Sequence, residues 1–184
     1  MKVVIIGNTG FIGHSIYNYL DKTKEYDLIG IPKNEIDLSG EKSSIALSKY
    51  LTADCIVVMC AGVKKQLGDN LDTFESNSAI INNFCRAISL VSPKKIIFFS
   101  SASVYGEDVD YDEKINEKTP VQPKTYYGIA KYTAERLLEK ICTENQTELV
   151  ILRPPLIYGE NDLSRGYGPT GFTYKAIESD EIIL

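Results

Sequence analysis

The stretch YYGIAK contains a tyrosine and a lysine, Tyr127 and Lys131, four positions apart. In a helix this spacing makes the phenol and the ammonium neighbours on one face. A free tyrosine has a pKa of about 10 and is a weak base at neutral pH. A nearby cation favours the phenolate and lowers that pKa, so the pair could exchange a proton with an alcohol hydroxyl. Taken alone, such a pair is also typical of two neighbours on a helix surface.

Three hydroxyl groups, those of Ser100, Ser101 and Ser103, follow the apolar run KKIIFF. The run predicts a buried strand, and ligands of open α/β sheets bind beyond the carboxyl ends of the strands. We therefore expect these hydroxyls to face a cleft. Ser101 would hold by hydrogen bond the same substrate oxygen that Tyr127 deprotonates.

Three glycines, Gly7, Gly10 and Gly13, separate the apolar run VVII from a segment with helical spacing. Such a strand–turn–helix forms a pyrophosphate cradle. Gly7 would allow the turn, Gly10 the approach of the phosphates and Gly13 the close packing of helix on sheet. A nicotinamide dinucleotide is the predicted cofactor, and its positive ring would add to the charge of Lys131. The neighbouring His14 is predicted to be a surface residue of the helix.

The choice between NAD and NADP stays open in the sequence. An acid that binds the ribose is expected at the end of the second strand, but Ile31, Pro32 and Lys33 occupy that place. Lys33 could meet a 2′-phosphate, which favours NADP slightly, although a solvated loop lysine is at least as good an interpretation. Asp37 is a candidate for contact with the adenine edge.

Strand-like and helix-like segments alternate along the chain, and the strand-like runs are apolar throughout. This pattern predicts an α/β fold, a Rossmann-type doubly wound parallel sheet covered on both faces. A short run, EIDL, is counted as a strand between the second strand and DCIVVMCAG. The polar stretch at 106–125 is predicted to be a surface excursion over the site. We expect the dinucleotide-binding domain at 1–160 and the beginning of a substrate-binding region at 161–184.

Composition excludes several classes of function. The chain has 184 residues, 43% of them hydrophobic, and a net charge of −5 at pH 7. Scattered lysines and arginines give no electrostatic footprint for nucleic acid or for an anionic membrane, and no apolar run is long enough to span a bilayer. Four cysteines without a CxxC pair, and one histidine, predict buried thiols in a reducing compartment rather than a metal site. We expect a cytoplasmic protein.

The motifs together resemble the extended short-chain dehydrogenase/reductase superfamily, in its NAD-dependent epimerase/dehydratase branch. The matching segments are GNTGFIG, DLS, MCAG, SSASVYG, YYGIAK and LRPPLIYG, with Asn77 between the third and fourth of these. The resemblance implies that Ser101, Tyr127 and Lys131 are catalytic. The residues assigned to the cofactor are Gly7, Thr9, Gly10, Phe11, Ile12, Gly13, Lys33, Asp37, Leu38, Cys60, Ala61, Gly62, Asn77, Ser100, Tyr127, Lys131 and Pro154.

The resemblance implies a reaction on a nucleotide-activated sugar. Dehydratases of this branch usually carry an Asp-Glu pair where this chain has Ala102 and Ser103, which counts against elimination. We therefore expect a nucleotide-sugar epimerase. A reductase of a keto-deoxy sugar needs the same residues, and a non-catalytic dinucleotide sensor is a third alternative. Many epimerases have an asparagine that contacts the nucleotide substrate at the place of Leu156, so the chain departs from their pattern at this position.

The segment at 160–184 resembles the start of the family's substrate domain. If that domain is short, the chain should bind nucleotide but turn over poorly. Arg165 could meet a substrate phosphate, although a solvated arginine is the better interpretation. Relatives often dimerise through two helices, so a homodimer is expected; Ile80, Phe84 and Leu137 fit either that interface or the core of one chain.

Overall fold

The computed structural model describes residues 1–106, 114–159, 161–162 and 168–178. Its centre is a sheet of five parallel strands in the order β2-β1-β3-β4-β5. The strands are β1 (Lys2–Ile6), β2 (Asp27–Ile31), β3 (Ile56–Met59), β4 (Lys95–Phe99) and β5 (Glu148–Leu152). Because the strand order reverses between β1 and β3, the crevice at their carboxyl ends is where a sheet of this kind binds ligands. The predicted Rossmann-type α/β fold is confirmed.

Helices connect the strands. They are α1 (Phe11–Thr23), α2 (Ser43–Ser48), α3 (Leu71–Leu90), α4 (Tyr126–Asn145) and α5 (Gly168–Glu178). Apolar residues at helical spacing in the sequence predict helices at 71–91 and 126–144, and α3 and α4 confirm them almost to the residue. The same spacing in SSIALSKYL predicts a helix at 43–51, but α2 ends at Ser48. Residues 163–167 and 179–184 lie outside the described part, and so does Arg165, so the domain boundary at 160 stays a prediction.

Side-chain caps fix where α3 and α4 begin. The Asn70 side chain accepts a hydrogen bond from the Thr73 backbone N–H at 3.0 Å, and the Thr125 hydroxyl accepts one from the Gly128 N–H at 3.0 Å. Caps of this type contribute about 1 kcal/mol each. The Thr125 cap makes Tyr127 a first-turn residue of α4, at the same end of the sheet as the crevice.

The larger core lies between the sheet and helices α3 and α4, and the smaller lies beneath α1. Phe84, Ile88, Phe98 and Leu138 are almost completely buried in the larger core. Each contributes roughly 2 kcal/mol through apolar burial. Phe84 is therefore a core residue of the single chain and offers nothing to a dimer surface, while Ile80 and Leu137 are half-buried.

Two expectations about the sheet are corrected. EIDL is not a strand, because the N–H groups of Glu35 and Ile36 both donate to the Pro32 carbonyl at 3.1 Å and form a turn. MCAG consequently follows the third strand of the sheet. Coverage of both faces holds for β1 and β3 but not for β5, where Val150 is 39% exposed in the described structure.

The described residues also show the state of the four cysteines and the character of the helices. Cys55, Cys85 and Cys142 are buried free thiols, and Cys60 is half-buried. In the described ranges no cluster of His, Cys, Asp or Glu could hold a metal ion. None of the described helices is both long and apolar enough to cross a membrane.

Candidate active site

The glycine turn after β1 is shaped by close backbone packing. Gly7 has φ +82°, and a Cβ there would lie 3.0 Å from the backbone nitrogen of Ala61. A Cβ at Gly13 would lie 2.3 Å from the Gly7 carbonyl oxygen. Both positions therefore require glycine for the fold itself.

Gly10 differs from these two glycines because the fold has room for a side chain at its position. Its backbone is extended, with φ −77° and ψ 162°, and the nearest atom to an added Cβ would be the Gly7 oxygen at 3.4 Å. The space above it is open in the described structure. Gly10 is also the N-cap of α1 and makes no side-chain cap, so the positive end of this 13-residue helix faces that space. These features fit a pyrophosphate.

Asn77 on α3 holds the loop that follows β3. Its side-chain oxygen accepts a hydrogen bond from the Val63 N–H at 2.9 Å, and its amide nitrogen donates to the Val63 carbonyl at 3.1 Å and the Thr73 carbonyl at 3.0 Å. Asn77 is thus engaged with the backbone. A Cβ at Gly62 would lie 3.2 Å from the Asn77 oxygen and 3.5 Å from the Lys131 nitrogen, so Gly62 packs against both side chains.

Tyr127 and Lys131 lie together at the carboxyl end of β4. The Lys131 nitrogen is 5.7 Å from the centroid of the Tyr127 ring and 5.1 Å from that of Phe98. It donates a hydrogen bond to the Phe99 carbonyl at 2.8 Å. Burial lowers the pKa of Lys131 to about 8, so the ammonium remains the main form at neutral pH. The Tyr127 N–H donates to the Asp69 carboxylate at 3.0 Å, which anchors the start of α4.

The two adjacent serines after β4 have different environments. Ser101 caps a 3-10 turn, Ala102–Tyr105, by accepting a hydrogen bond from the Ser103 N–H at 3.1 Å. Ser100 is 4% exposed, and its hydroxyl donates to Glu135 at 2.5 Å. The expectation that the Ser100 hydroxyl faces the cleft is therefore wrong, because side chains alternate along an extended chain.

Lys33 and Asp37, the two candidates for the adenosine end, form an ion pair with each other at 3.6 Å. Asp37 also accepts hydrogen bonds from the Ser39 hydroxyl at 2.7 Å and from the Ser39 N–H at 2.9 Å. These bonds, assisted by Lys33, lower the pKa of Asp37. The Lys33 side chain is 79% exposed, so the ion pair leaves it accessible to a ligand.

The other assigned residues are distributed around the crevice or in the core. Thr9 is exposed, and Phe11 and Ile12 are half-buried in the first turn of α1. Leu38 is 4% exposed, and its carbonyl accepts a hydrogen bond from Asn83, so its side chain belongs to the core. Pro154 accepts a hydrogen bond from the Ala102 N–H at 2.9 Å and ties the segment after β5 to the serine turn. His14 is exposed, as predicted.

Two charged residues at the site, Glu135 and Arg153, are absent from the set predicted from the sequence. Glu135 is completely buried one helical turn after Lys131, and Arg153 directly follows β5. They form an ion pair at 2.6 Å. A charged residue on the otherwise buried face of α4 was the available signal, since charges are rarely buried without a partner.

Comparison with known proteins identifies the family. The profile of the NAD dependent epimerase/dehydratase family matches residues 3–179. The chain belongs to this family. The uncharacterized UDP-glucose epimerase YtcB of Bacillus subtilis (strain 168) is 28% identical over 184 residues, which cover 86% of this chain and 57% of that protein.

Two solved structures of sugar epimerases are similar to this chain in fold. The UDP-glucose 4-epimerase of Thermus thermophilus, in complex with NAD, has a TM-score of 0.74 at 25% identity and covers 95% of this chain and 60% of its own. A mutant UDP-glucuronic acid 4-epimerase of Bacillus cereus, in complex with NAD and a fluorinated UDP-sugar, has a TM-score of 0.81 at 21% identity, covering 97% and 63%.

The family resemblance seen in the sequence is therefore confirmed, and so is the expectation of a nicotinamide dinucleotide as the family's cofactor. The chain spans about half the length of the curated relatives it matches.

Proposed function

We propose that this chain forms the cofactor-binding and proton-transfer part of an NAD(P)-dependent nucleotide-sugar epimerase. The observation that carries the proposal is the contact between Tyr127 and the buried Lys131 at the carboxyl end of β4. A tyrosine beside a desolvated cation is the arrangement that makes a phenol a usable base. Relatives named as sugar epimerases support the substrate class.

The residues present fit a dinucleotide. The open space over Gly10 and the uncapped start of α1 suit a pyrophosphate, and the exposed Lys33 suits a 2′-phosphate. The neighbourhood of Cys60, Gly62 and Lys131 would take the nicotinamide. When bound, this ring supplies the site that accepts hydride from the sugar carbon and returns it.

Tyr127 performs the proton transfer. Its phenolate would accept the proton of the sugar hydroxyl while the C–H bond of the same carbon breaks, and would give the proton back when that bond re-forms. The Lys131 ammonium stabilises the phenolate, and the Phe99 carbonyl holds that ammonium in place. Ser101 would hydrogen-bond the sugar oxygen and fix its orientation.

Inversion requires less of the protein than elimination. A dehydratase must protonate a leaving hydroxyl, and Ala102 and Ser103 offer no carboxyl group beside Ser101 for that step. An epimerase needs only that hydride return to the opposite face of the sugar, and Tyr127, Lys131 and Ser101 are sufficient for it. This difference favours an epimerase over a dehydratase.

A homodimer is part of the proposal. Ile80 on α3 and Leu137 on α4 are half-buried and lie on the two helices expected to form the interface. Light scattering of the Leu137→Glu variant should show a monomer if these helices form a dimer. An unchanged dimer mass would exclude this surface.

Tyr127→Phe is the variant that tests the reaction, and Tyr126→Phe is its matched control. Tyr126 is the preceding residue of α4 and is 44% exposed. The chain, supplied with NAD or NADP, is incubated with UDP-, GDP- and ADP-hexoses, and the products are resolved by chromatography. We expect turnover to fall about 10²- to 10⁴-fold in Tyr127→Phe, with cofactor affinity and the control variant unchanged.

The products separate the alternatives. Inverted sugar without net reduction of the supplied NAD or NADP supports an epimerase. One NADH or NADPH formed for each hexose oxidised to a keto-sugar identifies a reductase working in reverse. Because a short substrate domain is expected to give poor turnover, the incubation is long and the chain is present at a concentration close to that of the sugar. Cofactor binding with no inverted product under these conditions would contradict the epimerase proposal and favour a sensor. Equal loss of cofactor affinity and turnover in Tyr127→Phe would mean that the tyrosine is structural.

A further inference from the structure

Glu135 is a completely buried carboxylate that the proposed reaction does not use. It lies on α4, four residues after Lys131, and has 0% exposure. One of its oxygens accepts hydrogen bonds from the Ser100 hydroxyl at 2.5 Å and the Arg153 Nε at 2.9 Å. The other accepts one from the Arg153 Nη2 at 2.6 Å. The two bonds from the Arg153 guanidinium are charge-assisted, which is the stronger class of hydrogen bond.

These contacts join three elements at the catalytic end of the sheet. Ser100 follows β4 and Arg153 follows β5, so the Glu135 side chain ties α4 to both strands. Next to this contact, the Lys131 ammonium donates to the Phe99 carbonyl at 2.8 Å. The Phe99 carbonyl at the end of β4 and the hydroxyl of the next residue, Ser100, therefore bind two side chains that lie one helical turn apart on α4.

Arg153 extends the connection to the serine turn. Its Nη1 donates to the Tyr105 hydroxyl at 2.9 Å, and its guanidinium lies 5.0 Å from the centroid of the Tyr105 ring. Tyr105 ends the 3-10 turn that Ser101 caps. The carboxylate of Glu135 thus reaches both proposed catalytic elements, the Tyr127–Lys131 helix and the Ser101 turn.

Among the described groups that face Lys131, Glu135 is the carboxylate. From the loop after β3 comes Cys60, and from α4 come Tyr127 and Glu135, with Arg153 beyond the carboxylate; β4 contributes the Phe98 ring and the Phe99 carbonyl. Burial raises the pKa of Cys60 to about 12. Burial lowers the pKa of Lys131 to about 8. The Cys60 thiol is therefore neutral in the pH range in which Lys131 loses its proton.

We propose that Glu135 is a positioning residue whose buried carboxylate, held by Ser100 and Arg153, keeps Lys131 charged and seated behind Tyr127. The inference rests on the function proposed for Tyr127 and Lys131. A buried ion pair is weak evidence for stability alone, since an apolar replacement is often no less stable. The alternative, a purely structural tie between α4 and the sheet, predicts no effect on the ionisation of Lys131.

The experiment measures the ionisation of Lys131 directly. The chain is labelled with ¹³C at lysine Cε, and each lysine is titrated by NMR without cofactor or sugar; the Lys131 signal is the one missing from Lys131→Met. The test variants are Glu135→Gln and Arg153→Met. Glu139→Gln is the matched control, because Glu139 lies one turn further along α4 and pairs with Arg136 at the surface.

Opposite shifts in the two test variants are the expected signature. Glu135→Gln removes the negative charge and should lower the pKa of Lys131 by about 1 unit, whereas Arg153→Met leaves Glu135 without its cation and should raise it. The Glu139→Gln control should leave it unchanged. If Glu135→Gln does not fold, the inference is tested by Arg153→Met and by the double variant Glu135→Gln/Arg153→Met. The pKa of Lys131 in the double variant should lie closer to the wild-type value than it does in Arg153→Met.

An unchanged Lys131 titration in folded Glu135→Gln would overturn this inference, and so would shifts of the same sign in the two variants. Since the titration uses neither cofactor nor sugar, its result is independent of turnover. Opposite shifts without any sugar turnover would leave the role of Glu135 intact and contradict only the proposed reaction. Turnover that depends on Tyr127, with no shift, would contradict only the role of Glu135.

Discussion

A methyl group added at Gly10 should separate dinucleotide binding from folding. The Gly10 backbone lies in a region that alanine adopts easily, and the added Cβ would meet only the Gly7 oxygen at 3.4 Å, an ordinary contact. The alanine costs some N-cap preference and reduces the entropy of the unfolded chain, two effects of about 0.5–1 kcal/mol with opposite sign. We therefore expect the melting temperature to change by no more than about 3 °C.

Binding should respond differently, because the methyl group would occupy the open space over the start of α1. If a pyrophosphate lies there, the methyl group displaces it and weakens a charge-assisted hydrogen bond, worth about 1.5–3 kcal/mol. The dissociation constant of NADPH or NADH should then rise about 10- to 100-fold.

Gly13→Ala is the contrasting variant in the same turn. Its Cβ would lie 2.3 Å from the Gly7 carbonyl oxygen, about 1 Å inside ordinary contact. Relief of that overlap moves α1 away from the sheet, at a cost of about 3 kcal/mol. The melting temperature should fall by about 6–12 °C.

Circular dichroism during heating measures stability, and quenching or enhancement of the reduced-nicotinamide fluorescence measures binding. Gly10→Ala should lose cofactor affinity while it keeps its melting temperature. A folded Gly10→Ala that binds both reduced cofactors within about twofold of wild type would refute a pyrophosphate at this position.

Three further outcomes are expected. Burial lowers the pKa of Lys131 from 10.5 to about 8. Between these two pH values the unfolded chain binds more protons than the folded chain, so the stability of the fold rises with pH in this range. Denaturant titrations should therefore show that Lys131→Met is more stable than wild type at pH 7, by an amount that shrinks towards pH 10.5. Asn77→Leu should lower the melting temperature by about 4–8 °C, since both backbone groups of Val63 lose their partner at about 1 kcal/mol each; an unchanged value would show that the loop holds itself. Lys33→Glu should weaken NADPH binding at least about tenfold relative to NADH if Lys33 meets a 2′-phosphate, and equal changes for both cofactors in a binding titration would remove Lys33 from the site.

The sequence predicts the parts of the site that are local in the chain. The spacing of Gly7, Gly10 and Gly13 and the four-residue step from Tyr127 to Lys131 fix neighbours within one turn or one helix, so periodicity alone places them. Alternation along an extended segment also separates Ser100 from Ser101. That rule was available from the sequence and corrects the expectation that both hydroxyls face the cleft.

The sequence does not predict contacts between distant segments. Ser100 and Glu135 are 35 positions apart, and Arg153 is 18 positions beyond Glu135; their meeting depends on how α4 crosses the sheet. The error at EIDL has a different cause. Ile36 and Leu38 are both buried with an exposed residue between them, as in a strand. They nevertheless follow a turn, because the backbone N–H groups of Glu35 and Ile36 donate to the Pro32 carbonyl instead of to a neighbouring strand.

The way in which Asn77 binds Val63 has a consequence for the segment beyond it. One side-chain amide takes both the N–H and the carbonyl of Val63, as a neighbouring peptide would in a ladder. Because Val63 is held in this way, a movement of the chain after it should not reach the preceding loop, residues 60–62. Extra amino acids inserted between Val63 and Lys64 should lengthen this exposed stretch and leave in place the 3-10 turn Lys65–Leu67 and the Asp69 carboxylate that holds Tyr127. This is therefore a place to graft a sensor peptide or a purification epitope.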